Sequence, residues 1–99
     1  MRAMDPMEAF ALELQKNPHS TGYLVAYRSA SRDGPRVAQT SLRNERNYLI
    51  KEYGIKPGRI KTVAGGYREW RAMELWISQE HGAVPIITSY RYSPKRRRR

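Results

Sequence analysis

Met7, Phe10, Ala11 and Leu14 recur at i, i+3, i+4 and i+7, one apolar face of a helix. Asp5-Pro6-Met7-Glu8 supplies its start. Asp5 suits the N-cap, Pro6 the first helical turn, and Glu8 the position from which a carboxylate reaches back. Asn17-Pro18 closes the helix, because a proline disfavours helical backbone in the residue before it. The pattern then changes. "TGYLVAYRS", residues 21 to 29, holds an unbroken apolar run from Tyr23 to Val25, Ala26 and Tyr27, as expected of a central strand covered on both faces. "ASRDGPR" follows with turn chemistry at Asp33-Gly34-Pro35.

From Arg36 to Tyr53 helical spacing returns, with Ala38, Leu42, Leu49 and Tyr53 on one side and a polar middle in which Leu42 stands alone. Gly54 fits the left-handed position after a helix, Ile55 can pack back on the last turn, and Pro57 prevents continuation. A strand is expected over 60–64, sending Ile60 and Val63 into the core, with "GGYREWRA" as a connection. "MELWISQ" then alternates Met73, Leu75 and Ile77 against Glu74 and Trp76. The strands at 22–28 and 60–64 flank a helix and should be parallel. The short link between 60–64 and the next strand predicts that those two pair antiparallel. "AVPIITSYRY" offers one more strand, which Pro85 confines to an edge. The predicted architecture is α+β, in the order α-β-α-β-β, with a small mixed three-stranded sheet and two helices on one face. Residues 1–82 form a single domain, 83–92 an edge strand or extension, and 93–99 a disordered basic tail.

Composition refines this picture. Ninety-nine residues allow one core and no second domain. The net charge of +10 suggests nucleic acid until it is divided along the chain. Arg91, Lys95 and Arg96 to Arg99 account for six of nineteen basic residues, so residues 1–90 carry only 13 − 9 = +4. There is no cysteine, which excludes disulfides and thiolate chemistry. No stretch reaches the roughly 20 apolar residues of a membrane-spanning helix. The N-terminal stretch lacks the uninterrupted apolar region of a signal peptide, placing a chain complete as written in the cytoplasm, and a fragment of an exported protein in the periplasm or outside the cell.

Catalytic chemistry is sparse. His19 and His81 sit beside a proline and a glycine, as loop residues do, and no HExxH, GxSxG, GxxxxGK[ST] or GxGxxG pattern occurs. Asp33, Glu45, Glu52, Glu69 and Glu74 are scattered over different elements and read as solvated surface carboxylates. No enzyme, cofactor or metal is expected. Tyr67, Arg68, Glu69, Trp70 and Arg71 interleave aromatics with arginines, a pattern able to stack bases and contact phosphates, and equally one in which arginine stems cover Trp70. The nucleic-acid alternative combines Tyr67, Trp70 and Arg71 with the tail, Lys95, Arg96, Arg97, Arg98 and Arg99.

The stretch "RNYLIKEYGIKPGRIKTVAGGY" resembles the helix, turn and strand of OmpA-like peptidoglycan-associated domains, through Tyr48-Leu49, Gly54-Ile55, Arg59-Ile60 and Gly66-Tyr67 with Glu69. "AMELWI" looks like that family's last strand, and the likeness covers about residues 21–78. A nearer resemblance is to short bacterial envelope or secreted proteins of unassigned function, through "MEAFALELQ", "GYLVAYR" and "GGYREWRAMELWI". The likeness implies a non-enzymatic binding or structural module of the cell envelope, with peptidoglycan or another envelope component as partner. In that family an Asp after the first of these strands and an Arg in the next helix grip diaminopimelate. Here those positions fall near Ser29 and at Ser41, so charge-assisted bonds of ~1.5–3 kcal/mol each are lost unless Asp33 and Arg43 replace them. Asp33, Arg43 and Arg68 are therefore the candidate ligand-binding residues, around a pocket between the 29–36 loop and the start of the second helix.

Overall fold

Helix α1 (Pro6–Lys16), strand β1 (Thr21–Ser29), helix α2 (Arg36–Tyr53), a 3-10 turn (Pro57–Arg59) and strands β2 (Ile60–Arg68), β3 (Ala72–Ser78) and β4 (Thr88–Arg91) follow one another along the chain. The computed structural model describes residues 5–30, 33–34, 36–78 and, by their backbone, 88–91. The class is α+β and the order α-β-α-β-β, as the pattern predicts, with a fourth strand from the 83–92 segment added at the edge.

The sheet runs β2-β1-β3-β4. β1 and β2 are parallel across α2, with Gly22 opposite Ile60 and Val25 opposite Val63. β3 pairs with β1, antiparallel, and not with β2 as the short link predicts. The link explains how. Passing one strand means moving about 10 Å, and the stretch from Arg68 to Ala72 reaches that even with bends at Glu69 and Trp70, since extended chain covers about 3.3–3.6 Å per residue. β1, the most apolar strand, thereby gains a partner on both edges. β2 also runs past its expected end, through Gly65-Gly66 to Arg68, with a register shift opposite Ala26 and Tyr27 and a φ of 104° at Gly66.

Both helices cover one face. Gly22, Leu24 and Ala26 of β1 and Met73, Leu75 and Ile77 of β3 are buried beneath Met7, Phe10, Ala11 and Leu14 of α1 and Ala38, Leu42 and Leu49 of α2. A Cβ at Gly22 would stand 2.7 Å from Phe10 Cζ, so glycine there is what lets α1 lie against the strand. The other face is only half covered among the described residues: Tyr23, Val25, Tyr27 and Trp76 are partly exposed, correcting the expectation that β1 is enclosed on both sides. Val63 lies on that outer face and is 45% exposed, so Ile60 alone of β2 enters the core.

The helix ends are held by backbone and by arginine. Asp5 adopts extended backbone at the α1 N-cap and its carbonyl accepts the Ala9 N–H, but its side chain makes no cap hydrogen bond, contrary to expectation. Gly54, with φ 65°, donates its N–H to Ile50 and lets Ile55 turn back into the core. Arg59 reaches across to the end of α1: Nη2 donates to the carbonyls of Leu14 and Asn17, both at 2.8 Å, and Nε to that of Ser20 at 3.0 Å. Arg46 of α2 donates to the carbonyls of Ile60 at 3.2 Å and Pro57 at 2.8 Å, fixing α2 to the start of β2.

Candidate functional site

At the carboxyl end of β1 the chain folds back on itself. The Ser29 N–H donates to Asp33 Oδ2 at 2.8 Å while the Asp33 N–H donates to the Ser29 carbonyl at 3.0 Å. Arg71, from the link between β2 and β3, then meets the same carboxylate in parallel, Nε to Oδ2 and Nη2 to Oδ1, both 2.8 Å. This bidentate arrangement is the strong form of the carboxylate–guanidinium pair. Arg71 first, and the Ser29 N–H after it, hold the Asp33 carboxyl down to about 2 against the opposing effect of burial. At neutral pH Asp33 is a fixed anion whose proton affinity is too low for a general base. Arg28 Nη1 donates to the Asp33 carbonyl, and the Ala30 N–H to that of Arg68, so the loop and the β2–β3 link are tied at several points.

The predicted ligand residues are therefore not one constellation. Asp33 is only 8% exposed and its partner is Arg71, not Arg43. Arg43 is exposed and lines a cleft with Ile60, Lys61 and Thr62, near the opposite end of β2 from Arg68. From Thr62 to Arg68 is six residues, about 20 Å of strand. Arg68 lies on the outer sheet face, its Cζ 3.6 Å from the Tyr27 ring centroid and its Nη2 2.9 Å from Glu74 Oε2. Ser29 and Ser41 are both buried. Of the alternative set, Tyr67 is exposed with Arg28 5.2 Å from its ring centroid, Trp70 is exposed, and Arg71 is committed to Asp33. Lys95 to Arg99, with His81, lie outside the described residues. The surface reading of the carboxylates is corrected for three of them, since Glu45 is 2% exposed, Asp33 is buried and Glu74 is half-buried.

Glu74 organises the outer face. Its Oε1 accepts Trp76 Nε1 at 3.2 Å and the Tyr27 hydroxyl at 3.3 Å, while Oε2 takes Arg68. Burial opposes its ionisation, yet these three donors together hold its carboxyl below the usual range. Tyr23 sits directly opposite Trp76 across β1 and β3. The aromatics Tyr23, Tyr27 and Trp76 thus occupy adjacent strands of one face, joined by Val25, Val63 and Lys61. The signal was in the sequence, as the alternate positions of "TGYLVAYRS" and "MELWIS", but only pairing register puts the two sets together.

Among the described residues no group of three histidine, cysteine or acidic side chains is placed to hold a metal ion. No helix among them is long and apolar enough to cross a membrane. Comparison with protein-family models, with curated proteins and with solved structures gave no match.

Proposed function

We propose that the chain is a non-enzymatic binding or structural module of the OmpA-like kind, working in the bacterial cell envelope, and that it does not hold peptidoglycan through the family's carboxylate. The carrying observation is the Asp33–Arg71 pair. A carboxylate sits at the end of β1, where the resemblance leads one to look, but both its oxygens are taken by a guanidinium from the same chain. Supporting the module reading are the α-β-α-β-β order and the helix-turn-strand run at 48–67. Co-sedimentation with peptidoglycan sacculi tests the closed site. Any material that pellets should stay bound when free diaminopimelate is added, and release by diaminopimelate would show the family's grip to be intact. Fractionation of the source cells tests the location: recovery with the cytosolic fraction alone would remove the envelope reading.

A second reading draws on the outer face. Tyr23, Tyr27 and Trp76 on neighbouring strands, with Lys61 and Arg68 beside them, resemble the stacking platform of single-strand nucleic-acid binders. Fluorescence anisotropy of a labelled single-stranded oligonucleotide separates face from tail. Binding by the face survives deletion of 93–99 and drops with Tyr23→Ala; binding by the tail does the reverse; no binding at low salt sinks both.

A further inference from the structure

The cleft between α2 and the start of β2 has a volume of about 610 Å³. That lies within the roughly 300–1,000 Å³ of small-molecule sites. Among the described residues that line it are three cations, Arg43, Arg46 and Lys61, and no acid. Arg46 is the informative one. Its guanidinium is part-buried and locked in place, yet the groups that lock it are the neutral carbonyls of Ile60 and Pro57. Its position is fixed by neutral groups, and among the described residues no ion pair is made by Arg43, Arg46 or Lys61. A pre-positioned guanidinium flanked by two further cations favours an anion, because the cost of ordering the cation is met in folding.

The rest of the lining narrows the class. Gln39, Asn47 and Thr62 add neutral donors and acceptors of the kind that match hydroxyl groups, above a floor of Leu42 and Ile60. No aromatic side chain lines the cleft among the described residues, so those residues offer a nucleobase no ring to stack on. The space also far exceeds a lone inorganic anion. We propose that this cleft binds a saccharide bearing an anionic group, phosphate or carboxylate, with Arg43, Arg46 and Lys61 around the charge and Gln39, Asn47 and Thr62 around the hydroxyls. The proposal is independent of the envelope reading, which rests on the other end of the sheet.

Amide chemical shifts of the full chain, followed during titration with glucose 6-phosphate, glucuronate, inorganic phosphate, glucose and adenosine monophosphate, test it. Shifts confined to residues 39–47 and 57–62 are expected with at least one of the two anionic sugars, at least fivefold tighter than with inorganic phosphate. The tighter of the two identifies the anionic group. The double variant Arg43→Gln/Lys61→Gln changes only exposed side chains, so its spectrum elsewhere should match the parent, and its affinity should fall at least tenfold. The proposal is overturned by an absence of shifts, by shifts spread over basic residues throughout the chain, by equal binding of inorganic phosphate, by tighter binding of adenosine monophosphate, or by a double variant that binds as well as the parent.

Discussion

Replacing Arg59 by Met keeps most of the apolar stem and removes the guanidinium that closes the end of α1. Four contacts go: the carbonyls of Leu14, Asn17 and Ser20, and Ser20 Oγ at 3.2 Å. Hydrogen bonds to a charged group are worth about 1.5–3 kcal/mol each. They do not add here, because one guanidinium makes all four and water can reach part of the α1 terminus once it leaves. The positive charge also lies at the negative end of the helix dipole, a further ~0.5 kcal/mol. A loss of about 3 kcal/mol is expected, a large share of the roughly 5–15 kcal/mol that stabilises a domain. With a urea slope of about 1.5 kcal/mol/M, the midpoint of equilibrium unfolding should fall by about 2 M. Arg59→Lys should recover less than half, since an ammonium carries all its donors on one nitrogen and cannot reach acceptors that the guanidinium meets from both Nε and Nη2. A shift under about 0.3 M for Arg59→Met, or full recovery by lysine, would refute the reasoning.

Three further outcomes follow from the same geometry. Asp33 is lowered from the ordinary 3.8 to about 2, so its pairing stabilises the fold above the unfolded-state value and loses that contribution as pH falls through the folded-state value; the difference in thermal midpoint between parent and Asp33→Asn should hold steady from neutral pH to about 4 and shrink from there to about 2. A Cβ at Gly65 would lie 2.5 Å from Tyr27 Cε1, so Gly65→Ala should cost ~1–3 kcal/mol in urea unfolding, and a Tyr27→Ala background should remove most of that cost. Gly54→Ala, at φ 65°, meets open space but strained backbone and should cost ~1–2 kcal/mol by the same measurement.

What could be read from the sequence is what local rules determine. Helix α2 begins and ends where its apolar spacing and Gly54 put it, and Met73, Leu75 and Ile77 share the buried face that alternation assigns. Illegible features depend on partners far along the chain. Asp33 looked like a turn residue because Arg71 lies 38 positions away, and Arg71 looked like a phosphate contact because its carboxylate was not local. Glu45 sits in the polar middle of α2, where nothing distinguishes a buried acid from a solvated one. Gly65-Gly66 read as a connection because paired glycines usually break strands; here the extra residue makes a bulge and leaves room for the Tyr27 ring. The neighbour of β3 is illegible for a related reason, since a connection as short as "GGYREWRA" is compatible both with pairing and with stepping over one strand.

Net charge is a poor guide to polyanion binding in this chain, because several cations in the folded part serve the fold. Arg68 and Arg71 face carboxylates, while Arg46 and Arg59 hold backbone carbonyls. The tail contributes Lys95 and Arg96 to Arg99, five charges, so a chain ending at residue 92 carries 10 − 5 = +5. If phosphate or sulfate contacts come mainly from the tail, that truncation should remove roughly 0.7–0.9 of a unit of salt slope per lost contact, and elution from heparin should move to much lower salt. If they come from the cleft, truncation should shift elution modestly and Arg43→Gln/Lys61→Gln in the truncated chain should abolish retention. Retention unchanged by both alterations would place the polyanion contacts on cations other than those of the tail and the cleft.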